Sequence, residues 1–175
     1  MKDHAQNDRL AWWREARFGM FIHFGVYAVS GHGEWDYYYE HIPQDEYVRL
    51  ADRFVPEHYN PREWVRIAQD AGMRYMVMVT RHHDGFCMYD SKVSDFTSTK
   101  RAAKRDFIAE FAEACHSAGM RMGLYYSLVD WRFPGALFNI PRQPDEVYAP
   151  MVEQAHAQVR EILTNYGKVD ILWYD

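Results

Sequence analysis

The chain has 175 residues, 48% of them hydrophobic and 17% aromatic, and carries a net charge of −5. That length and apolar content fit one packed domain and exclude a disordered tail. The acidic balance without a basic block argues against nucleic acid as a partner, and no apolar run approaches the about 18 residues of a membrane span.

The two cysteines, Cys87 and Cys115, lack metal-type spacing and suggest reduced or buried thiols rather than a disulfide scaffold. The opening "MKDHAQNDRLAWW" has no apolar h-region, so the expectation is a cytoplasmic chain. Six tryptophans and thirteen tyrosines exceed what core filling usually asks. Flat rings with a polar tip also suit a sugar-binding cleft, because C–H faces of pyranoses stack on them.

The first expected element is a strand in "FGMFIHFG" (18–25), which contains His23. A lone histidine in such a run is ordinarily a core group. A ring-rich loop, "GEWDYYYE", follows, in which Glu34 stands beside Trp35. Glu34 is either a solvated loop charge or, next to an indole at a strand end, a hydroxyl acceptor or proton donor. A helix is expected around 45–54, and another over 61–71. "NPRE" opens the latter, with Asn60 as N-cap, Pro61 at N1 and Glu63 in capping-box position. Trp64, Ile67, Ala68 and Ala71 form its predicted apolar stripe.

A strand over 74–80 comes next and ends in "RHHDGF". Neighbouring side chains in a strand point to opposite faces, so His82 and His83 share a site only if the backbone leaves the strand around them. Gly85 is then expected to close the turn. A metal site, a proton relay, a pair of arms for one sugar, and plain packing are all open to these residues.

The unit then repeats. Segments 64–80, 107–127 and 158–175 each read as amphipathic helix, glycine, and an apolar or aromatic run, with Gly72, Gly119 and Gly167 at near-equal spacing. Strands 120–127 and 169–174 lack clean alternation, as expected of a parallel sheet buried on both faces. No GxGxxG or GxxxxGK[ST] follows any strand, which weakens a nucleotide-binding sheet. His23, "RHHD", "YYS" and "WYD" all fall at strand C-terminal ends, where barrel enzymes place their chemistry. The expected fold is α/β, a parallel (β/α) barrel type truncated to about half, four strands, of a TIM-like (β/α)8 barrel, with residues 1–175 one partial catalytic domain. Within the last strand, Trp173 and Asp175 point the same way by alternation, and a carboxylate so placed can act as a nucleophile; Asp170 belongs at the opposite end.

Taken together, "RFGMFIHFGVYAV", "GEWDYYY", "TRHHDGFCMYDSKVSDF", "GLYYSLVDW" and "ILWYD" resemble the catalytic barrel of the α-L-fucosidases of glycoside hydrolase family 29, from about residue 12 to the end. The resemblance implies a retaining hydrolase that removes terminal α-L-fucose from glycoconjugates or oligosaccharides, with Asp175 as nucleophile. It makes His23, Glu34, Trp35, His82, His83, Tyr126 and Trp173 the sugar contacts, Tyr126 being preferred to Tyr125 as nearer the strand end. Asp84 and Gly85 shape the turn that swings His83 round. No metal or other cofactor is implied. The family's acid/base usually comes from later in the barrel; Glu34 is the one loop carboxylate here near the right end, for that task or as a sugar contact. Two other readings stand beside this one: a catalytically silent half-barrel that binds fucose or self-assembles, and a metal-dependent barrel hydrolase. A four-stranded parallel sheet with two open edges predicts a homo-oligomer, at least a dimer, and neither nucleic acid nor membrane as partner.

Overall fold

The structure is a computed structural model and describes residues 9–175; most of the polar opening segment lies outside the described residues. In chain order it contains α1 (Ala11–Ala16), β1 (Gly19–Ile22), a 3-10 turn (Val26–Val29), α2 (Asp36–Tyr39), α3 (Gln44–Leu50) and α4 (Pro61–Asp70). There follow β2 (Tyr75–Arg81), α5 (Phe107–Ser117), β3 (Arg121–Tyr126), α6 (Asp145–Thr164) and β4 (Ile171–Tyr174). The four strands form one parallel sheet in the order β1-β2-β3-β4, so each strand pairs with the next in sequence. A doubly wound sheet reverses direction at a switch point. Stepwise winding without reversal is the barrel pattern.

Both faces of the central strands are covered, which is why their sequences do not alternate. Met76, Met78, Met122, Leu124 and Tyr126 join the large core with Phe107, Ile108 and Phe111 of α5 and Ile162 of α6. On the other, concave face lies a smaller cluster of Val77, Val79 and Tyr125, flanked by Tyr75 and Ile171.

The local signals for α4 hold. The Asn60 side chain accepts the Glu63 amide, Pro61 sits at N1, and Gly72 follows with φ 78°. Its stripe differs from the expected one. Pro61, Val65 and Ala68 are buried, Trp64 is half-buried, while Ile67 is 46% exposed and Ala71 faces out. Helix α6 starts well before the repeat unit seen in the sequence and runs through Pro150. Strand β4 begins later than expected because Asp170 is used as a pin. Its carboxylate accepts the Met122 amide and pairs with Arg121 and Lys168, at the end of the sheet opposite His82 and His83. Cys87 and Cys115 are buried free thiols, and burial pushes both up to about 12. No helix among the described residues is long and apolar enough to cross a membrane.

Candidate active site

A register shift in β2 creates the site. Tyr75, Val77 and Val79 follow concave-face alternation, and continuing it would turn Arg81 towards that face. Instead the pairing slips: Val79 sits opposite Tyr125, and Arg81, two residues on, sits opposite Tyr126. The extra residue, Thr80, donates its hydroxyl to the Tyr125 carbonyl at 2.7 Å. Arg81 therefore turns to the helix side, its guanidinium 4.6 Å above the Tyr126 ring, and His82 takes the concave side.

The strand then ends. Gly85 donates its amide to the His82 carbonyl at 3.0 Å and has φ 81°. A Cβ on Gly85 would lie 2.3 Å from Arg132 Nε and 2.5 Å from Asp130 Oδ1, so both conformation and space require glycine. Asp84, fully buried, accepts the Phe86 amide and the Tyr47 hydroxyl, each at 2.9 Å, and burial pushes its carboxyl up to about 6. The backbone thus leaves the strand at His82, and both histidines reach one site.

The His82 ring lies parallel to Tyr125, 5.8 Å between centroids, and meets the edges of Tyr27 and His23 at 5.7 and 5.5 Å. Its Nδ1 is buried without a hydrogen-bond partner among the described residues. Burial, then the neighbouring His83, His23 and Arg81, push its pKa down to about 2. A neutral His82 in the folded state and a charged one in the unfolded state contribute stability that is present above pH 6.5 and lost as pH falls. Asp84 acts with the opposite sign between about 4 and 6, so total stability blurs the effect. The wild-type stability advantage over His82→Gln should shrink by about 1.4 kcal/mol per pH unit below 6.5. Urea titrations at pH 7 and pH 5 read this; a constant difference refutes it.

His83 sits on the other side of His82. Its Nδ1 is 2.5 Å from Ser127 Oγ, and its Nε2 is 3.7 Å from Asp175 Oδ2. Burial lowers its pKa, opposed by the Asp175 charge. Trp35 and Trp131 pack against it at 5.2 and 5.1 Å. Asp175 is tied into the sheet: its amide donates to the Tyr126 carbonyl, and its own carbonyl accepts the Leu128 amide at 2.7 Å. Its half-exposed carboxylate accepts the Tyr125 hydroxyl at 2.6 Å. Burial and this bond both raise the Tyr125 phenol above its ordinary value.

Tyr126, expected among the sugar contacts, is corrected by the geometry. It points to the helix layer, where its hydroxyl donates to Gln158 Oε1 of α6 at 2.8 Å. Tyr125 takes the concave face because it is in register with Trp173, and the alternation that joins Trp173 to Asp175 could have identified it. The other expected residues lie around this face. Trp173 is exposed and edges onto Phe21 at 5.1 Å, and Phe21 stacks on the exposed His23. Trp35 is half-buried and stacks on Tyr39 and Phe138. Glu34 is half-buried and its charge acts on His83 and Tyr27. Tyr27, Ser127 and Trp131 were missed as contributors, although all three lie within the motifs "RFGMFIHFGVYAV" and "GLYYSLVDW". Among the described residues no three His, Cys, Asp or Glu side chains come together to hold a metal ion.

The arrangement is a half-exposed carboxylate at the mouth of a concave face, flanked by two neutral imidazoles and walled by rings. It can bind a polyhydroxylated ring and attack an electrophilic carbon within it. The α-L-fucosidase family model matches residues 1–175. Human tissue α-L-fucosidase is 31% identical over 94% of this chain and 39% of its own length. Isoenzyme 1 of α-L-fucosidase from Paenibacillus thiaminolyticus is 39% identical, with TM-score 0.85 over 96% of this chain and 42% of that one. A family 29 α-L-fucosidase from Bacteroides thetaiotaomicron, trapped as a covalent intermediate with 2-fluoro-fucosyl fluoride, is 30% identical with TM-score 0.88, covering 97% and 41%. The chain spans about two fifths of the length of the curated relatives it matches.

Proposed function

Because this chain belongs to the α-L-fucosidase family, we propose that it forms the fucose-binding end of a retaining hydrolase that removes terminal α-L-fucose, with Asp175 as the nucleophile. The observation that carries this reading is the Asp175 carboxylate, held by the Tyr125 hydroxyl at 2.6 Å beside the His82–His83 pair. Asp175 Oδ attacks C1 of fucose, the C1–O bond breaks, and the departing oxygen takes a proton from an acid. The covalent glycosyl ester is then hydrolysed by water at C1 with net retention. The covalent intermediate of the Bacteroides relative supports the same course here.

His23, His82 and His83 serve as hydrogen-bonding arms for ring hydroxyls, since a neutral imidazole offers one donor and one acceptor. Trp35, Trp173 and Tyr125 cover the C–H surface, and Glu34 is assigned to a hydroxyl. The second carboxyl that protonates the leaving oxygen must lie about 5–5.5 Å from Asp175. The substrate is a fucosylated glycan or small fucoside.

The exposed surfaces support association with a second copy. Phe18, Phe21, Trp173 and Tyr174 are all more than a third exposed, on or beside β1 and β4, the edge strands of the sheet among the described residues. A cavity of about 540 Å³ between β4 and α6, lined by Leu128, Val159, Leu163 and Tyr174, continues this surface. One experiment tests the whole reading: hydrolysis of an aryl α-L-fucoside with and without chelator, run beside light scattering. We expect α-L-fucose as the first-formed anomer, rates insensitive to chelator, and a mass of at least two chains. β-Fucose or loss of rate in chelator overturns the mechanism. Fucose binding without turnover leaves a silent sugar-binding module, and a folded monomer at micromolar concentration overturns the association.

A further inference from the structure

We propose that Ser127 is the positioning residue that holds His83 as its Nδ1–H tautomer, so that Nε2 presents a lone pair beside Asp175 and the ligand must supply a hydroxyl donor there. This goes beyond the fucosidase reading in assigning Ser127, and rests on it only for the identity of the ligand.

The argument counts hydrogen-bonding valences. A serine hydroxyl has one proton to give and two lone pairs to fill. Ser127 Oγ donates to the Val129 carbonyl at 2.8 Å and accepts the Val129 amide at 3.1 Å. One lone pair is left, and His83 Nδ1 lies 2.5 Å from it. That vacancy is filled when Nδ1 carries the proton, which leaves Nε2 bare in a neutral ring. Across from Nε2 stands Asp175 Oδ2 at 3.7 Å, too far for a direct hydrogen bond, so no bond is lost by placing the proton on the other nitrogen. Two acceptors then face the same gap, and an O–H of the ligand is the group that both can share.

Ser127 is itself rigidly placed. Its amide donates to the Arg81 carbonyl at 3.1 Å, and its carbonyl accepts Arg81 Nη2 at 2.6 Å. On the histidine side, the His83 carbonyl accepts the Trp131 amide at 2.7 Å. The imidazole and the hydroxyl that orients it are therefore held from both strand ends, and Ser127 is fully buried. Acting on His83 rather than on the substrate, it is a positioning residue.

The test is nitrogen-15 NMR of the ring nitrogens of His83 in the ligand-free wild-type chain, repeated in Ser127→Ala and Ser127→Thr. We expect protonated Nδ1 and unprotonated Nε2 in wild type, and loss of that fixed state in Ser127→Ala. Ser127→Thr, which keeps the hydroxyl, should restore it. Aryl fucoside hydrolysis by Ser127→Ala should fall about ten- to a hundred-fold, with recovery in the threonine variant. A wild-type His83 protonated at Nε2 overturns the proposal, and that measurement needs no variant to fold. Unchanged tautomer and rate in Ser127→Ala also overturn it. The wild-type tautomer as expected, in a chain that neither binds nor cleaves fucosides, overturns the fucosidase reading and leaves the role of Ser127 standing.

Discussion

Asp175→Ala should lower turnover of an aryl α-L-fucoside by on the order of 10⁴-fold or more, the scale seen when a covalent nucleophile is removed. Stability should change little, because the carboxylate is half-exposed and, among the described residues, its one close bond is to Tyr125. The backbone bonds of residue 175 to Tyr126 and Leu128 do not involve the side chain and persist. A second readout separates a nucleophile from a group that only orients. Azide is small enough to enter the space vacated by the carboxylate and can attack C1 from the same side. The variant with azide should therefore recover part of the rate and release β-fucosyl azide, the product of a single displacement. A variant that keeps more than about a tenth of wild-type activity removes Asp175 from the role.

The second large effect concerns stability. Asp130→Ala should cost about 3–5 kcal/mol of unfolding free energy, the usual penalty for stripping one partner from a buried ion pair. Arg81 and Asp130 are both 0% exposed, with Arg81 Nη1 donating to Asp130 Oδ2 at 2.9 Å. Arg132 adds Nε to Oδ1 at 2.9 Å and Nη2 to Oδ2 at 2.6 Å, and Gln154 donates to Oδ2 at 3.1 Å. Burial alone would raise the Asp130 carboxyl, but the Arg132 hydrogen bond and the charges of Arg81 and Arg132 hold it below its ordinary value. Its stabilising contribution is thus present above the ordinary carboxylate range and is lost as acid protonates it. Removing the carboxylate leaves the fully buried Arg81 guanidinium facing that of the largely buried Arg132. The thermal midpoint should fall by roughly 10 °C. A fall under about 2 °C would mean that water or Gln154 replaces the carboxylate without cost. The same network anchors Ser127 and the His83 turn, so fucoside hydrolysis should decline in parallel at temperatures where the variant is still folded.

Much of this was legible in the sequence for identifiable reasons. Asn60, Pro61 and Gly72 mark helix ends through local chemistry that needs no tertiary partner. The four strand ends announced themselves because polar and aromatic residues interrupt apolar runs at the same point of each repeat. The adjacency of His82 and His83 posed a geometric problem whose solution, a turn closed by Gly85, is what the backbone adopts. Other features depend on register, which a single strand does not encode. Tyr125 and Tyr126 look equivalent until Trp173 is seen opposite Tyr125 and Gln158 is found beneath Tyr126. Ile67 fits a helical stripe by spacing, yet Val65 proves to face the sheet, because the stripe is set by where α4 lands. Arg81 and Asp130 are 49 positions apart, and charged residues are rarely buried, so nothing local flagged them as a pair.

The one-residue slip at Thr80 has a consequence for how this protein can change. Upstream of it, Met76 and Met78 face the helices and Val77 and Val79 the concave side; downstream the parity is inverted, with Arg81 on the helix side and His82 on the concave one. The slip thus lets the strand end carry a different alternation from the hydrophobic stretch that precedes it. Conversely, transplanting the His-His tail onto another strand would carry the wrong residue into the site unless the additional position travelled with it.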